Sequence, residues 1–110
     1  MEPTITIGEI PESVTNAVSI EVIIDNLADP QRRQLLAVLR RRETPERLST
    51  LARHLAHRTE GEKPESVEQI HLRLYHVHVP KLVDAGFVSR EDEGTDLTDA
   101  GRALADAIAE

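Results

Sequence analysis

From Leu74 to Val88 the chain reads Leu-Tyr-His-Val-His-Val-Pro-Lys-Leu-Val-Asp-Ala-Gly-Phe-Val, and this stretch constrains the fold more than any other. Its apolar residues recur at helical spacing as far as Gly86, a residue suited to closing a helix, and Phe87-Val88 then opens an extended segment. Glu93-Gly94 marks a turn, and Thr95-Asp96-Leu97-Thr98 begins a returning strand. Thr98 then caps a last helix running through Ala109, with Ala103, Leu104, Ala107 and Ile108 on its apolar side.

Three more helices are legible upstream. Residues 19–27 place Ile20, Ile23, Ile24 and Leu27 at helical spacing. Asp29-Pro30 is a start signal, an N-cap acid before a proline at the first helical position. That helix runs to about Arg42 with Leu35, Leu36, Val38 and Leu39 inward, until Glu43-Thr44-Pro45 breaks it. Leu48 reads as a very short strand or staple, and Ser49 as the cap of a helix reaching about Arg58. After the polar segment 59–64, Ser66 and Gln69 fit the capping box of a third core helix. On a regular wheel Val67, Ile70, Leu74 and Val77 form one apolar stripe, and Leu72, Tyr75, Val79, Leu82 and Val83 a second. Two stripes predict a helix wedged between two layers, exposing only the arc Gln69, Arg73, His76, Pro80 and Asp84. Pro80 predicts a kink, and His78 beside it a partly buried ring capping a carbonyl that the kink releases. Residues 1–17, with Pro3, Gly8 and Pro11, read as a flexible arm, and 18–110 as one domain. The expected fold is mainly α with a small β-hairpin: a winged helix-turn-helix with flanking N- and C-terminal helices.

Composition narrows the function. Phe87 and Tyr75 are the only aromatics among 110 residues, so one modest core must be built from Leu, Ile, Val and Ala. The absence of cysteine excludes disulfides, thiolate metal sites and a cysteine nucleophile. No apolar run approaches the roughly 18 to 20 residues that span a bilayer, and the amino terminus has no basic-then-apolar signal pattern. A soluble cytoplasmic protein is expected, with no membrane partner. The net charge of −7 argues against a generic nucleic-acid-coating protein. Of the 13 cations only Lys63 and Lys81 are lysines. Abundant carboxylates with few lysines resemble proteins of salt-loving microbes, in which an acidic surface maintains solubility. The charge is also unevenly placed. Residues 28–58 carry eight Arg against Asp29, Glu43 and Glu46, whereas 1–27 carry five acids and no base.

The segments "LADPQRRQLLAVL", "LSTLARHLA", "RLYHVHVPKLVDAGFV" and "DLTDAGRALADAI", in this order, resemble a haloarchaeal family of small winged-helix domains of unassigned function. More distantly the pattern is similar to arsenical-resistance-type and multiple-antibiotic-resistance-type regulators. The resemblance covers roughly residues 19–108, and the segment from Leu74 to Leu82 is its specific part. It implies a winged-helix fold, DNA binding and dimerisation. The thiolate metal sensing of the arsenical-type regulators does not carry over to a chain without cysteine.

Gln69, Arg73 and His76 are therefore the candidate base-reading residues. Arg suits guanine and Gln suits adenine through paired bonds, and His reaches a base or phosphate. Glu65 and Glu68 beside them oppose phosphate approach but suit the helix dipole. Arg32, Arg33, Arg53 and Arg58 are the candidate phosphate contacts, joined by Ser49 and Thr50 at a helix start and by Arg90 in the wing. The wing's Glu91, Asp92, Glu93 and Asp96 favour a protein-facing surface instead. The helices at 20–27 and 100–108, through Ile20, Ile23, Ile24, Leu27, Leu104 and Ile108, form the expected seam of a homodimer. His71 and His78 share a helix face that His76 does not, so no metal site is expected. No Ser-His-Asp spacing, glycine-rich phosphate loop or pocketed carboxylate pair points to catalysis, a cofactor or a small-molecule effector. The sequence thus leads to a homodimeric transcription regulator on double-stranded DNA. The alternative is a winged-helix protein–protein interaction module without DNA binding.

Overall fold

The structure, a computed structural model, describes residues 10–58 and 66–109, with only the backbone of His57 and Arg58. Seven α-helical segments and one hairpin follow in order: α1 (Glu12–Thr15), α2 (Ile20–Leu27), α3 (Pro30–Arg40), α4 (Leu48–Arg58), α5 (Val67–Arg73), a π-helical turn (Leu74–His78), α6 (Val79–Asp84), β1 (Val88–Glu91), β2 (Gly94–Leu97) and α7 (Asp99–Ile108). Helices α3 and α4 and the continuous run α5–π turn–α6 form the three-helix core, with the hairpin as wing and α2 and α7 flanking. This is a winged helix-turn-helix arrangement. Among the described residues, no helix is long and apolar enough to cross a membrane.

Local chemistry sets most of the boundaries. Ser19 Oγ accepts from Val22 N at the start of α2, and Asp29 Oδ1 accepts from Gln31 N at 2.8 Å ahead of Pro30. The capping box of α5 closes as expected: Gln69 N donates to Ser66 Oγ and Ser66 N to Gln69 Oε1, both at 3.2 Å. Thr98 Oγ1 accepts from Gly101 N at 3.0 Å, fixing the first turn of α7. Helix α4 begins one residue ahead of the expected cap, at Leu48, with Leu51 N bonded to Arg47 O. The strand-like residue lies at Glu46, not Leu48: Glu46 exchanges both backbone bonds with Thr95, adding one rung to the hairpin's outer edge. In the hairpin itself, Val88 pairs with Leu97 and Glu91 with Gly94. Thr95 and Leu97 point inward on alternate positions of β2.

The core is aliphatic, as the composition requires, and gathers Leu35, Leu36, Leu39, Leu51, Leu55, Ile70, Leu74, Leu82 and Leu104 around Phe87. Of the expected flexible arm 1–17, residues 1–9 lie outside the described residues. Ile10 and Val14 are buried in the core, with α1 against α7.

The third helix departs from the regular wheel. Ile70 and Leu74 are buried as expected, but Val77 is 40% exposed and His78 is buried at 1%. The cause is the π turn, in which Val79 N bonds to Leu74 O five residues back. One extra residue per turn rotates Val77 outward and brings His78 and Val79 into the core. Pro80 thus ends the α ladder by widening it. The expected two-layer sandwich is corrected as well. Only Val79 and Leu82 of the second stripe are buried, while Leu72, Tyr75 and Val83 remain exposed. The main neighbour of this helix is α4, and its last segment α6 packs on β1.

His78 also differs from expectation, in having side-chain partners on α3. Its Nδ1 lies 3.2 Å from Arg32 Nη1, and its Nε2 lies 3.0 Å from Gln31 Oε1. A guanidinium has only donors, so Nδ1 must accept and Nε2 must carry the proton given to Gln31. The ring therefore ties the π turn to the start of α3.

Candidate nucleic-acid interface

The capping box starts the third helix at Val67, and the burial of Ile70 and Leu74 decides which residues face away from the core. Gln69, Arg73 and His76 are all exposed, on one flank of the helix at steps of four and three. The Oε1 of Gln69 is engaged by the capping box, which leaves its amide NH2 to donate outward. His76 stands edge-on to the Tyr75 ring, with centroids 4.9 Å apart. The point opposite Ile70 and Leu74 is occupied by Leu72, 60% exposed. The crest of the helix is therefore apolar and its donors lie to one side.

The basic residues assigned to phosphate divide into two groups. Arg32 is corrected: it is 6% exposed, and its Nε and Nη2 donate to Asn26 O and Asp25 O at 3.0 and 2.9 Å. With Nη1 on His78, this guanidinium caps the carboxyl end of α2 from inside the fold and cannot reach a phosphate. Arg33 is half-buried and donates from Nη1 to Leu27 O at 2.6 Å, serving the same helix end. Arg90 is exposed, but it too binds within the molecule. Its Nη2 donates to Tyr75 O at 3.2 Å, and its Cζ lies 5.3 Å from the centre of the Tyr75 ring. In the π register the Tyr75 carbonyl would take its bond from residue 80, which as proline has no N–H. Arg90 supplies that donor and so pins the wing to the third helix.

The second group stays on the surface. Ser49 and Arg53 are exposed one helical turn apart on α4, and Thr50 is half-buried beside them in the first turns. Arg47, which the sequence reading passed over, is exposed at the residue preceding α4, next to the Glu46 rung that meets the wing. Its signal was its place before a helix start rather than its charge. The side chain of Arg58 lies outside the described residues. Two cations at and just beyond the end of α3 are held by other groups: Arg40 by Asp106 at 2.7 Å, and Arg42 by His54 at 2.6 Å.

The expected dimer seam is also corrected in part. Ile23, Leu27 and Leu104 are buried in their own core and cannot face a second copy. Ile20 and Ile24, one turn apart on α2, remain exposed with Val22, and Ile108 is half-buried. No group of three or more potential metal ligands occurs among the described residues. The acidity of Asp25 is altered. Its carboxyl is held below the ordinary carboxylate value by the hydrogen bond from Lys81 Nζ, 2.7 Å away, and by that ammonium's charge.

Comparison with curated proteins and with solved structures returns no match. A family model described as "Domain of unknown function (DUF7344)" matches residues 24–98, from within α2 to the end of the wing. That span includes the third helix and hairpin described above, and on that match the chain belongs to the DUF7344 family.

Proposed function

We propose that this domain is a sequence-specific DNA-binding transcription regulator that acts in the cytoplasm of a halophilic archaeon as a homodimer. The observation that carries the reading is the placement of Gln69, Arg73 and His76. These three long or ring donors lie exposed along one flank of the third helix of a winged helix-turn-helix arrangement. A helix of this kind reads base edges from the major groove, while the preceding helix holds the phosphates. Among the described residues, Arg47, Ser49, Thr50 and Arg53 remain to do the latter. Ile20 and Ile24 are the apolar residues left for pairing two copies, which would set half-sites about 34 Å apart.

The acidic balance of −7 fits a saline interior. Affinity from counterion release falls steeply with salt, so base contacts and shape must supply most of the binding there. Screening shortened to about 3 Å at 1 M salt also blunts repulsion from Glu68 and the wing. The test is selection from random duplex DNA in concentrated potassium chloride. An enriched motif is expected, with Arg73→Ala weakening it by about 1 to 3 kcal/mol, concentrated at one base position. No enriched motif, or one indifferent to Arg73→Ala, would end the reading.

A further inference from the structure

We propose that the crest of the third helix and the adjoining wing form a docking groove for a basic, amphipathic segment of a partner protein. The groove shares His76 with the donor flank but is built on the apolar crest, and the inference does not depend on DNA binding. Two shallow hollows meet at Tyr75. One, of about 510 Å³, is lined by Glu68, His71, Leu72, Tyr75 and His76. The other, of about 180 Å³, lies between helix and hairpin and includes Leu48, Arg90 and Glu91. Tyr75 belongs to both, so the hollows adjoin at its ring and together make a strip from the helix crest to the wing.

The floor of this strip is apolar and ready for contact. Leu72 is 60% and Tyr75 52% exposed, among the most exposed large apolar side chains of the described residues. Tyr75 is held in place, with Arg90 over its ring and bonded to its carbonyl, and with the His76 ring perpendicular to its own. An aromatic fixed before binding loses little freedom on contact, so its buried area converts more fully into affinity.

The rim specifies the occupant. Glu68 stands at the helix end of the strip and Glu91 at the wing end, with Asp92 and Glu93 exposed in the turn beyond. The single cation in the lining, Arg90, rests on Tyr75. An apolar floor between carboxylates favours apolar anchors flanked by Lys or Arg, and it repels phosphate. It also disfavours a second copy of this chain. The exposed apolar residues of α2 are flanked by Glu21 and Asp25, which would bring acids against acids.

The test uses the full chain at pH 7.5 in 0.15 M sodium chloride and three fluorescein-labelled 14-residue peptides read by anisotropy. One is an amphipathic helix of Leu and Lys, one has Glu in place of Lys, and one has Ser in place of Leu. The Leu/Lys peptide is expected to bind and the other two to bind at least tenfold more weakly. Leu72→Gln should weaken binding about tenfold through loss of half-exposed leucine surface. Glu91→Gln with Glu93→Gln should weaken it several-fold, with the difference shrinking as salt rises. Ile24→Ser should leave it unchanged, because α2 lies outside the strip. The inference is overturned by absent Leu/Lys binding, by equal binding of the Leu/Glu peptide, by insensitivity to Leu72→Gln, or by loss on Ile24→Ser. Duplex selection in the same preparation reports on DNA binding separately, so either reading can fail without the other.

Discussion

Replacing Arg32 by alanine separates a structural arginine from a phosphate-binding one. The guanidinium makes three bonds inside the fold, to Asp25 O, Asn26 O and His78 Nδ1, at 2.9 to 3.2 Å. A hydrogen bond from a charged donor contributes about 1.5 kcal/mol at the low end, which gives about 4.5 kcal/mol for three. Water entering the vacated volume would satisfy part of the two orphaned carbonyls and lower the cost to about 3 kcal/mol. At about 2.1 cal/mol/K per residue, unfolding 110 residues has an entropy near 0.23 kcal/mol/K, so the melting temperature should fall by about 13 °C. Arg32→Lys keeps the charge but not the forked geometry, and should recover less than half of the loss. Thermal melts by circular dichroism, with urea titration alongside, measure the effect. Arg53→Ala, an exposed comparator, should stay within about 0.5 kcal/mol of the parent. A shift below about 3 °C for Arg32→Ala would refute the assignment, as would a selective loss of DNA affinity with stability intact.

Gly101→Ala would ordinarily favour a helix by up to about 1 kcal/mol, but here the added Cβ would fall on the carbonyl oxygen of Phe87. Urea unfolding should show a net loss of more than about 2 kcal/mol, and a gain would mean that α7 does not approach Phe87 so closely. Leu104→Ala should cost about 2 to 5 kcal/mol as a core truncation, whereas Ile24→Ser should spare monomer stability and weaken self-association in sedimentation velocity. If Leu104→Ala altered association alone, the inward placement of Leu104 would be wrong. The Asp25–Lys81 pair favours the ionised carboxyl in the fold, so its contribution is present above the ordinary value of 3.8 and disappears as acid protonates Asp25 below it. Asp25→Asn should therefore melt below the parent at pH 7, with the gap closing below pH 3.8. A gap unchanged by acid would leave the pair without effect.

Helix starts were legible because a cap is a conversation between residues two or three apart. Asp29 before Pro30, Ser66 with Gln69, and Thr98 before Asp99 each act where the sequence placed them. The hairpin was legible from its turn and alternation. The interior of the third helix was not, because a wheel assumes one constant pitch. The sequence predicts a kink at Pro80, whereas the chain widens a turn and the Tyr75 carbonyl borrows a donor from Arg90, fifteen residues on. That partner is invisible to any local pattern. The burial of Arg32 did leave a trace: it precedes Leu35, Leu36 and Leu39 by three, four and seven, on the core stripe of α3. Its charge masked its position. In α2 the pairs Ile20/Ile24 and Ile23/Leu27 have the same spacing, and only the placement of α3 decides that the second pair turns inward.

The wide turn at residues 74–78 works as a phase joint in a rod. Upstream, residues 67–73 present their outer faces at one angle; downstream, Val79 and Leu82 are keyed into the interior at another. The two angles are set by different neighbours, so the outward half can diversify its surface residues without disturbing how the inner half is seated. Removing a single residue from the joint would turn the two halves by about a quarter turn relative to each other, so that Ile70 and Val79 would no longer both face the interior.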